Sequence, residues 1–427
     1  MKMKRILSLV LAIALMAVVF VGCSDNKSDD SDSSSTSGTT KTAEIEDGAK
    51  LKLWGPNAAL TTLKKQAKAF EEAHSDKNVS VEVVPMEEDQ AGTQVLNDPD
   101  AAADVFGFAS DQLTKLTMAK ALMPLYKDYE NKVAENHSEA AVNTARGDYE
   151  GSEVVFAFPE TDNGYYLVYD KSVVTDEDAK TLEGVLAACK KAGRKFVMDA
   201  GTGYYSCMFA FTGGLALDGV EGEAQDTQKF NDYDEAKVVA SMKAFGELIS
   251  KYKGTFSKAA VSNISAGFSE SPRKVAAGID GTWDASANEK ALGDDYGVVK
   301  LPTINIDGTD TDIIGMIGYK YLGVNNNTKY PEASMALADY LADTDCQAER
   351  LKDLGWTPTN KNVDVADNPA IQAMQAEGEN FVIQADIIQA FWDPFANLGN
   401  QLTKDKADLS DAALKKLLTD TLNNVNG

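Results

Sequence analysis

Short apolar segments with a two-residue period alternate with longer segments of helical period from Lys50 onward. The first helical segment places Leu60, Leu63, Ala67 and Phe70 on one stripe. The strand-like segments around it are Lys50–Trp54, Val79–Val84 and Asp104–Phe108. This β-α-β-α order predicts a mainly parallel sheet covered by helices, in which the carboxyl ends of the strands form the edge where ligands bind.

The same alternation continues in the second part of the chain. One long helical stripe carries Val238, Met242, Phe245, Ile249 and Tyr252. Further strands are predicted at Glu153–Phe158, Tyr165–Tyr169, Phe196–Asp199 and Val275–Asp280. A chain of 427 residues exceeds what one hydrophobic core usually fills, so two domains or lobes are expected.

Polar residues directly before helical segments mark where helices begin. Asn57, Ser110 and Ser410 are predicted helix N-caps, and Asp393 is predicted to cap a helix whose first residue is Pro394. Leu409 and Leu414 flank Ser410 in the pattern of a hydrophobic staple.

The first 22 residues are predicted to be an export signal. Lys2, Lys4 and Arg5 precede an apolar run from Ile6 to Val21, which is shorter than a membrane-spanning helix needs. Cys23 after Val-Gly resembles the bacterial lipobox, with Phe20 where Leu is more usual. The resemblance implies a diacylated Cys23, and two acyl chains give stable anchoring. Residues 23–44 are rich in Ser and Asp and are predicted to be a disordered tether.

Charge and composition exclude several classes of protein. The chain has 41 Lys and Arg residues against 66 Asp and Glu residues, a net charge of −25, so it lacks the basic surface that a nucleic-acid-binding protein needs. Four Cys and two His residues are too few for a disulfide framework or a zinc cluster. Cys189 shares an apolar helix face and is predicted to serve packing.

Signatures of common enzymes are missing from the sequence. It has no Walker-type glycine loop, no dinucleotide-binding glycine pattern and no Gly-x-Ser-x-Gly nucleophile turn. His74 and His137 lie in polar stretches and are predicted to be exposed rather than catalytic. A surface glycoside hydrolase remains an alternative, although with 66 acids the closeness of any two carries no evidence for it and no acid/base pair is identifiable.

Aromatic residues at the ends of predicted elements suggest a binding surface. Trp283 follows a turn, Trp392 precedes a helix start, Trp356 lies in Gly-Trp-Thr-Pro, and Tyr204 and Tyr205 follow Gly-Thr-Gly. An exposed ring at such a position offers a flat apolar face that matches the face of a pyranose ring. The alternative is that each ring packs in a core, which is the prediction for Trp54.

The chain resembles the bacterial extracellular solute-binding proteins of sugar ABC importers, the maltose-binding-protein-like group. The similarity spans nearly all of the mature chain and rests on landmarks in the same order: Leu53-Trp54, Asp104–Asp111, Phe158-Pro159, Leu167–Lys171, Ile279–Trp283, Tyr296–Val298, Leu301-Pro302 and Ala390–Trp392. It implies a two-lobe periplasmic-binding-protein type II-like fold with an interlobe ligand cleft. Lobe 1 would comprise residues 45–160 plus 320–355, and lobe 2 residues 161–319 plus 356–427. Chain crossings would lie near Pro159–Asn163, Met316–Leu322 and Leu354–Pro358.

The resemblance also implies site residues. Stacking rings would be Phe108, Tyr204, Trp283 and Trp392, with Tyr205 beside them, and polar cleft contacts would come from Asn57, Asp111 and Asn163. Three positions depart from the pattern of maltose binders. Gln112 stands where they have Arg, Asn163 where they have Glu, and Gly203 where they have Glu. These changes leave the exact sugar open, because a site built for one set of hydroxyls rejects others.

The resulting hypothesis is a lipid-anchored protein on the extracellular face of the cell membrane. It would capture an oligosaccharide, most simply maltose or a maltodextrin, and deliver it to an ABC permease pair with its ATPase. We expect a monomer that is not an enzyme and uses no cofactor and no metal. The alternatives are ferric iron held by Tyr204 and Tyr205, a polyamine suited to the acidic charge, or the glycoside hydrolase.

Overall fold

A computed structural model describes residues 44–222, 226–378 and 380–427. The predicted signal peptide, Cys23 and the tether up to residue 43 lie outside these residues. Within the described ranges, no helix has both the length and the apolar character required to cross a membrane.

The strands are numbered in chain order: β1 Lys50–Gly55, β2 Ser80–Pro85, β3 Val105–Ala109, β4 Arg146–Tyr149, β5 Ser152–Val155, β6 Ala157–Asn163, β7 Tyr165–Asp170, β8 Lys195–Val197, β9 Leu217–Glu221, β10 Thr227–Phe230, β11 Phe256–Ser257, β12 Val275–Gly281, β13 Tyr296–Val299, β14 Thr303–Ile306, β15 Thr309–Asp312, β16 Gly315–Val324, β17 Thr357–Pro358 and β18 Phe381–Ile383.

The α-helices are α1 Leu60–Ala73, α2 Glu88–Asn97, α3 Leu113–Met118, α4 Lys127–Asn136, α5 Glu139–Asn143, α6 Leu182–Ala192, α7 Gly203–Ser206, α8 Met208–Phe211, α9 Glu235–Lys251, α10 Ser262–Ser269, α11 Ala285–Leu292, α12 Pro331–Leu341, α13 Thr344–Leu354, α14 Pro369–Gln375, α15 Trp392–Leu402 and α16 Asp411–Val425.

The first lobe is built on a mixed sheet with the strand order β17-β6-β16-β3-β1-β2, and β18 also pairs with β16. The β1–β2 and β1–β3 pairs are parallel, as the sequence predicts. Strand β16 runs antiparallel to both β3 and β6, so the expectation of a mainly parallel sheet holds only for one half. All five residues of β3 are buried, because helices cover both faces of this central strand.

The second lobe has a five-stranded sheet with the order β11-β8-β12-β7-β13. Here β8 is parallel to β11 and β12, and β7 is antiparallel to β12 and β13. Helices α6, α8, α9, α15 and α16 bury apolar residues in the main core of this lobe, which includes Cys189 as the apolar pattern predicts.

The chain passes between the lobes at three places. It leaves the first sheet after Asn163 and enters the second with Tyr165. Strand β16 starts in the core of lobe 2 with Met316 and continues into the core of lobe 1 with Tyr321.

The third crossing is later than the resemblance implies. Trp356 belongs to the core of lobe 1, and Asn360 still bridges to His137 of that lobe. Ala370 is the next residue to join a core, and it packs in lobe 2. The predicted assignment of residues 356–427 to lobe 2 therefore differs from the structure at its start.

Several local predictions need correction. The N-caps of the elements at Asn57 and Ser110 are the preceding residues Pro56 and Ala109. The helix predicted to begin after Asp393 begins at Trp392, with Phe391 as its N-cap, and none of these caps makes a side-chain bond. Ser410 does cap α16, and its hydroxyl accepts a hydrogen bond from the Ala413 amide.

His137 was expected on the surface, but it is 4% exposed. Its Nδ1 lies 3.0 Å from the Thr359 hydroxyl. Burial lowers the pKa of this imidazole to about 4.

Candidate functional site

A cavity of about 360 Å³ lies between the two lobes. Its walls are formed by the residues that follow β1, β2 and β12 and by residues of β6 and β16. Its lining residues come from both lobes and include aromatic, amide, acidic and basic side chains: Pro56, Ala58, Glu87, Glu88, Thr161, Asn163, Tyr204, Trp283, Asp284, Lys320, Trp356 and Gln384.

Three half-buried aromatic rings form a row on the lobe 2 side of the cavity. The Tyr204 ring is central, with centroid distances of 5.9 Å to Trp283 and 6.4 Å to Trp392. Gly281 lets the indole of Trp283 lie against the backbone, because a Cβ there would be 2.1 Å from this ring. Tyr204 and Trp283 line the cavity, as the sequence predicts, and Trp392 adjoins Tyr204 at the end of the row.

The ring on the lobe 1 side is Trp356 rather than Phe108. Trp356 lines the cavity directly after α13, although only 8% of it is exposed. Phe108 is fully buried in the lobe 1 core, with its ring centroid 5.7 Å from that of Tyr321. The prediction that Phe108 stacks on a ligand is therefore wrong for this arrangement, because β3 is covered on both faces.

Tyr205 lies below the aromatic row and not on its surface. It is 4% exposed and belongs to the lobe 2 core. The helix α7 is short, and it turns Tyr204 toward the cavity while Tyr205 points inward. The prediction of a ligand contact at Tyr205 is corrected accordingly.

Four charged side chains line the cavity. Three are the carboxylates Glu87, Glu88 and Asp284, and Lys320 is the one cation among the described lining residues. The Lys320 Nζ lies 3.7 Å from Glu88 Oε2. Burial raises the pKa values of Glu88 and Asp284, and for Glu88 the Lys320 ammonium opposes this rise.

Asp111 lies at the boundary of the lobes and accepts hydrogen bonds from lobe 2. Its Oδ2 is 2.8 Å from Gln389 Nε2 and 3.2 Å from Trp392 Nε1. Burial raises the pKa of Asp111, while Lys320 and these donors oppose the rise. The carboxylate therefore holds the aromatic row to lobe 1 and is not among the residues that line the cavity.

Gln112 and Asn57 support acidic residues of the cavity instead of lining it. The Gln112 amide donates to the Glu88 carbonyl and accepts from the Gly92 amide, both at 2.8 Å, and thereby fixes the first turn of α2. Asn57 is exposed, and its Nδ2 is 2.7 Å from Glu87 Oε1. Asn57 is not among the residues that line the cavity, and it contacts the lining residue Glu87.

Asn163 lines the cavity, as predicted, at the end of β6 where the chain leaves lobe 1. Two neighbouring acids on the same strand lie deeper. Burial raises the pKa of Glu160 to about 7, against the opposing effect of Arg350. Burial raises the pKa of Asp162 to about 8. Both carboxyls therefore take up protons far more readily than an ordinary Glu or Asp.

Eight residues that line the cavity were not predicted from the sequence. Two are apolar, Pro56 and Ala58, and six are polar or charged: Glu87, Glu88, Thr161, Asp284, Lys320 and Gln384. A signal existed for the two glutamates, because they follow Pro85 at the carboxyl end of a parallel strand, where ligands bind. Asp284 directly follows Trp283 and shared its signal. Lys320 lies inside a strand, where nothing in the sequence distinguishes it.

The arrangement combines flat apolar faces with hydrogen-bond donors and acceptors, which suits a ligand with apolar ring faces and polar edges. In the described parts of the chain, no group of three or more His, Cys, Asp or Glu side chains is placed to hold a metal ion.

Solved structures share this fold over almost their whole length. One, determined with acarbose, has a TM-score of 0.77 and 29% identity, covering 88% of this chain and 98% of that chain. The maltodextrin-binding protein MalE1 from L. casei BL23, without ligand, has a TM-score of 0.73 and 25% identity, covering 89% and 99%. The Thermus thermophilus maltotriose-binding protein bound with maltotriose has a TM-score of 0.72 at 18% identity, covering 88% and 99%. These similarities confirm the predicted two-lobe fold.

No curated protein matches the chain in sequence. A family model described as bacterial extracellular solute-binding protein matches residues 65–377, which include parts of both lobes and most of the residues that line the cavity. The chain belongs to the bacterial extracellular solute-binding protein family.

Proposed function

We propose that this protein captures an oligosaccharide of the maltodextrin type in the cleft between its lobes. The observation that carries the proposal is that rings from both lobes, Tyr204 and Trp283 on one side and Trp356 on the other, line one cavity. A row of rings offers stacking faces to successive sugar units, and the polar lining side chains offer partners to hydroxyls. The structural relatives that bind maltodextrin, maltotriose or acarbose support the same ligand class.

Ligand capture proceeds by closure of the lobes. Hinge closure around a ligand needs contacts that the closed form makes better than the open form. A sugar held by Trp356 and Glu88 of lobe 1 and by Tyr204 and Trp283 of lobe 2 meets this condition, because neither lobe alone supplies both faces. The three chain crossings, including β16, provide the hinge.

The protein then delivers its ligand to an ABC permease pair driven by an ATPase. This part of the proposal is supported by membership of an extracellular solute-binding family. The export signal and the lipobox-like Cys23 support lipid anchoring on the outer face of the membrane, with residues 23–44 as a tether. The protein acts as a monomer, because the cleft is complete within one chain.

Titration calorimetry tests the ligand class. Maltotriose, cellotriose and a galactoside are titrated into the mature protein, and maltotriose is expected to bind in the micromolar range and better than the other two. Absence of binding for every sugar would contradict the proposal. Preferred binding of cellotriose or the galactoside would keep the carbohydrate class and overturn the maltodextrin assignment.

The protein returns its sugar unchanged. Family membership supports binding without catalysis, and incubation with maltoheptaose followed by chromatography should show the starting sugar alone. Shorter products that persist after repurification, and disappear with Glu88→Gln, would indicate a glycoside hydrolase instead.

A polyamine is the second candidate ligand. The observation in its favour is that three carboxylates, Glu87, Glu88 and Asp284, line the cavity against one ammonium group. Spermidine is titrated under the same conditions, and tighter binding of spermidine than of maltotriose would favour this candidate. Ferric citrate serves as the test for iron, which would give a visible absorption band from phenolate coordination at Tyr204.

A further inference from the structure

Lys320 occupies the centre of the cleft end of the lobe 1 sheet. It lies on β16, paired with Ala109 of β3 and Thr161 of β6. Its side chain lines the cavity and is 17% exposed. The ammonium is therefore largely removed from bulk water but open to the cavity, at the strand that links the lobes.

Glu88 faces Lys320 in the same cavity wall. Its side chain is 13% exposed, and Oε2 lies 3.7 Å from Lys320 Nζ. This separation is longer than a direct hydrogen bond, so the contact leaves the ammonium donors available to a third group. The other carboxylate oxygen, Oε1, is buried and has no hydrogen-bond partner within the described residues.

The position of Glu88 is fixed from behind. Gln112 holds the Glu88 carbonyl at 2.8 Å and the Gly92 amide at 2.8 Å. A Cβ at Gly107 would lie 3.4 Å from Glu88 Cγ and 3.7 Å from Glu88 Oε1, so Oε1 lies beside the backbone of β3. The backbone at Glu88 is therefore fixed before a ligand arrives, which reduces the entropy lost on binding.

We infer that Lys320 and Glu88 together recognise one ligand hydroxyl as both acceptor and donor. The ammonium donates to the hydroxyl oxygen, and Glu88 Oε2, the carboxylate oxygen that faces Lys320, accepts the hydroxyl proton. The inference rests on the proposed sugar-binding function and assigns a specificity-determining pair to it. An ammonium and a carboxylate oxygen held 3.7 Å apart in a poorly solvated wall penalise a ligand that lacks the group between them.

This pair compensates for the absence of a cation at position 112, where Gln112 is committed to helix α2. The ammonium of Lys320 reaches the cavity from β16, whereas a cation at position 112 would reach it from the turn after β3. The pair also requires a hydroxyl with a free proton, so an ether oxygen at the same place satisfies Lys320 but not Glu88.

Calorimetry with modified ligands tests the pair. Wild-type protein is titrated with maltotriose and with its monodeoxy and mono-O-methyl derivatives, one position at a time. At one position we expect both changes to weaken binding by about tenfold or more. In Lys320→Met and in Glu88→Gln, the loss caused by the deoxy change at that position should shrink to less than about threefold. Lys132→Met, which breaks the exposed ion pair with Asp339, should retain the wild-type pattern.

The possible failures are distinct. If wild-type protein binds no sugar, the proposed function fails and this inference fails with it. If wild-type protein binds maltotriose but no single position loses affinity on both changes, only the inference is overturned, whether or not the variants fold. Unchanged deoxy penalties in folded Lys320→Met would also overturn it, and circular dichroism establishes that the variants are folded.

Discussion

The Trp392 indole of lobe 2 donates a hydrogen bond to the Asp111 carboxylate of lobe 1, with 3.2 Å between Nε1 and Oδ2. Gln389 donates to the same oxygen from 2.8 Å. The carboxylate that the sequence suggests for ligand binding therefore also joins the lobes. Its partners come from the start of α15 and the turn before it, so this contact ties the end of the aromatic row to lobe 1.

Loss of the Asp111 carboxylate should shift the protein toward a more open form. Hydrogen bonds to a charged group are worth about 1.5–3 kcal/mol. Asp111→Ala should therefore lower the equilibrium constant for closing of the lobes by about tenfold or more. Small-angle scattering should show a larger radius of gyration than for wild type, and sugar affinity should fall because less protein is competent to bind.

The variant Trp392→Phe distinguishes the contribution of the hydrogen bond from that of the aromatic ring. The variant keeps an aromatic face but loses the indole donor, so it should reproduce part of the opening. An unchanged radius of gyration in both variants would show that the Asp111 contacts do not control closure.

Removing the Trp283 ring should weaken sugar binding by about tenfold or more without unfolding the protein. An aromatic contact contributes about 0.5–1.5 kcal/mol beyond its buried area, and the loss of apolar burial adds to this. Calorimetry with maltotriose on Trp283→Ala measures the effect. Tyr149→Ala is the control, because its ring is 43% exposed on the β4–β5 hairpin, away from the cavity. Equal affinities of the two variants for maltotriose would show that Trp283 does not contribute to sugar binding.

The fold was predictable because the spacing of apolar residues along the sequence differs between strands and helices. The first sheet begins as expected with β1, β2 and β3, and α16 begins at its Ser410 cap. The antiparallel insertion of β16 between β3 and β6 was not predictable, since periodicity within a segment carries no information on which distant strand it pairs with.

The site was predictable where a ring follows a turn at a strand end. Trp283 follows β12, and its ring reaches the cavity as expected. Phe108 was implied by the family resemblance alone. It lies within β3, all of whose residues are buried, and burial on both faces of a strand depends on tertiary packing. The place of Lys320 in the cleft could not be predicted from its local sequence, because only the pairing of β16 with β3 and β6 brings it there.

Stability should depend on pH through Asp162. Burial raises the pKa of its carboxyl to about 8, above the value of about 3.9 in an unfolded chain. The stabilisation by the neutral carboxyl is fully present below the unfolded pKa and is lost as pH rises through the folded pKa. Asp162→Asn keeps the shape without the charge, so between about pH 5 and about pH 9 its unfolding free energy should fall less than that of wild type. We expect a difference of at least about 1.4 kcal/mol, which corresponds to one pKa unit.

Denaturant unfolding at a series of pH values measures this dependence. The comparison is made between variants at each pH, because Glu160 and Glu377, whose pKa values burial raises to about 7, contribute in the same direction, and His137 in the opposite one. Asp218→Asn, at an exposed position on β9, should follow the wild-type curve. Parallel curves for Asp162→Asn and wild type would show that Asp162 is not the titrating group.

Introducing a side chain at position 203 should lower both the stability and the sugar affinity of the protein, although the maltose binders that the chain resembles carry Glu there. A Cβ at Gly203 would lie 2.6 Å from the Trp392 carbonyl oxygen and 3.1 Å from its Cα, so the backbone of α15 would have to move. Overpacking of this kind costs about 1–3 kcal/mol. Gly203→Ala should therefore lower the melting temperature and displace both Tyr204 and Trp392, which weakens sugar binding. Gly254→Ala is the matched control, because a Cβ there meets no atom within 4 Å. If Gly203→Ala behaves like Gly254→Ala in both melting temperature and affinity, the close approach of α7 and α15 is not what orders the aromatic row.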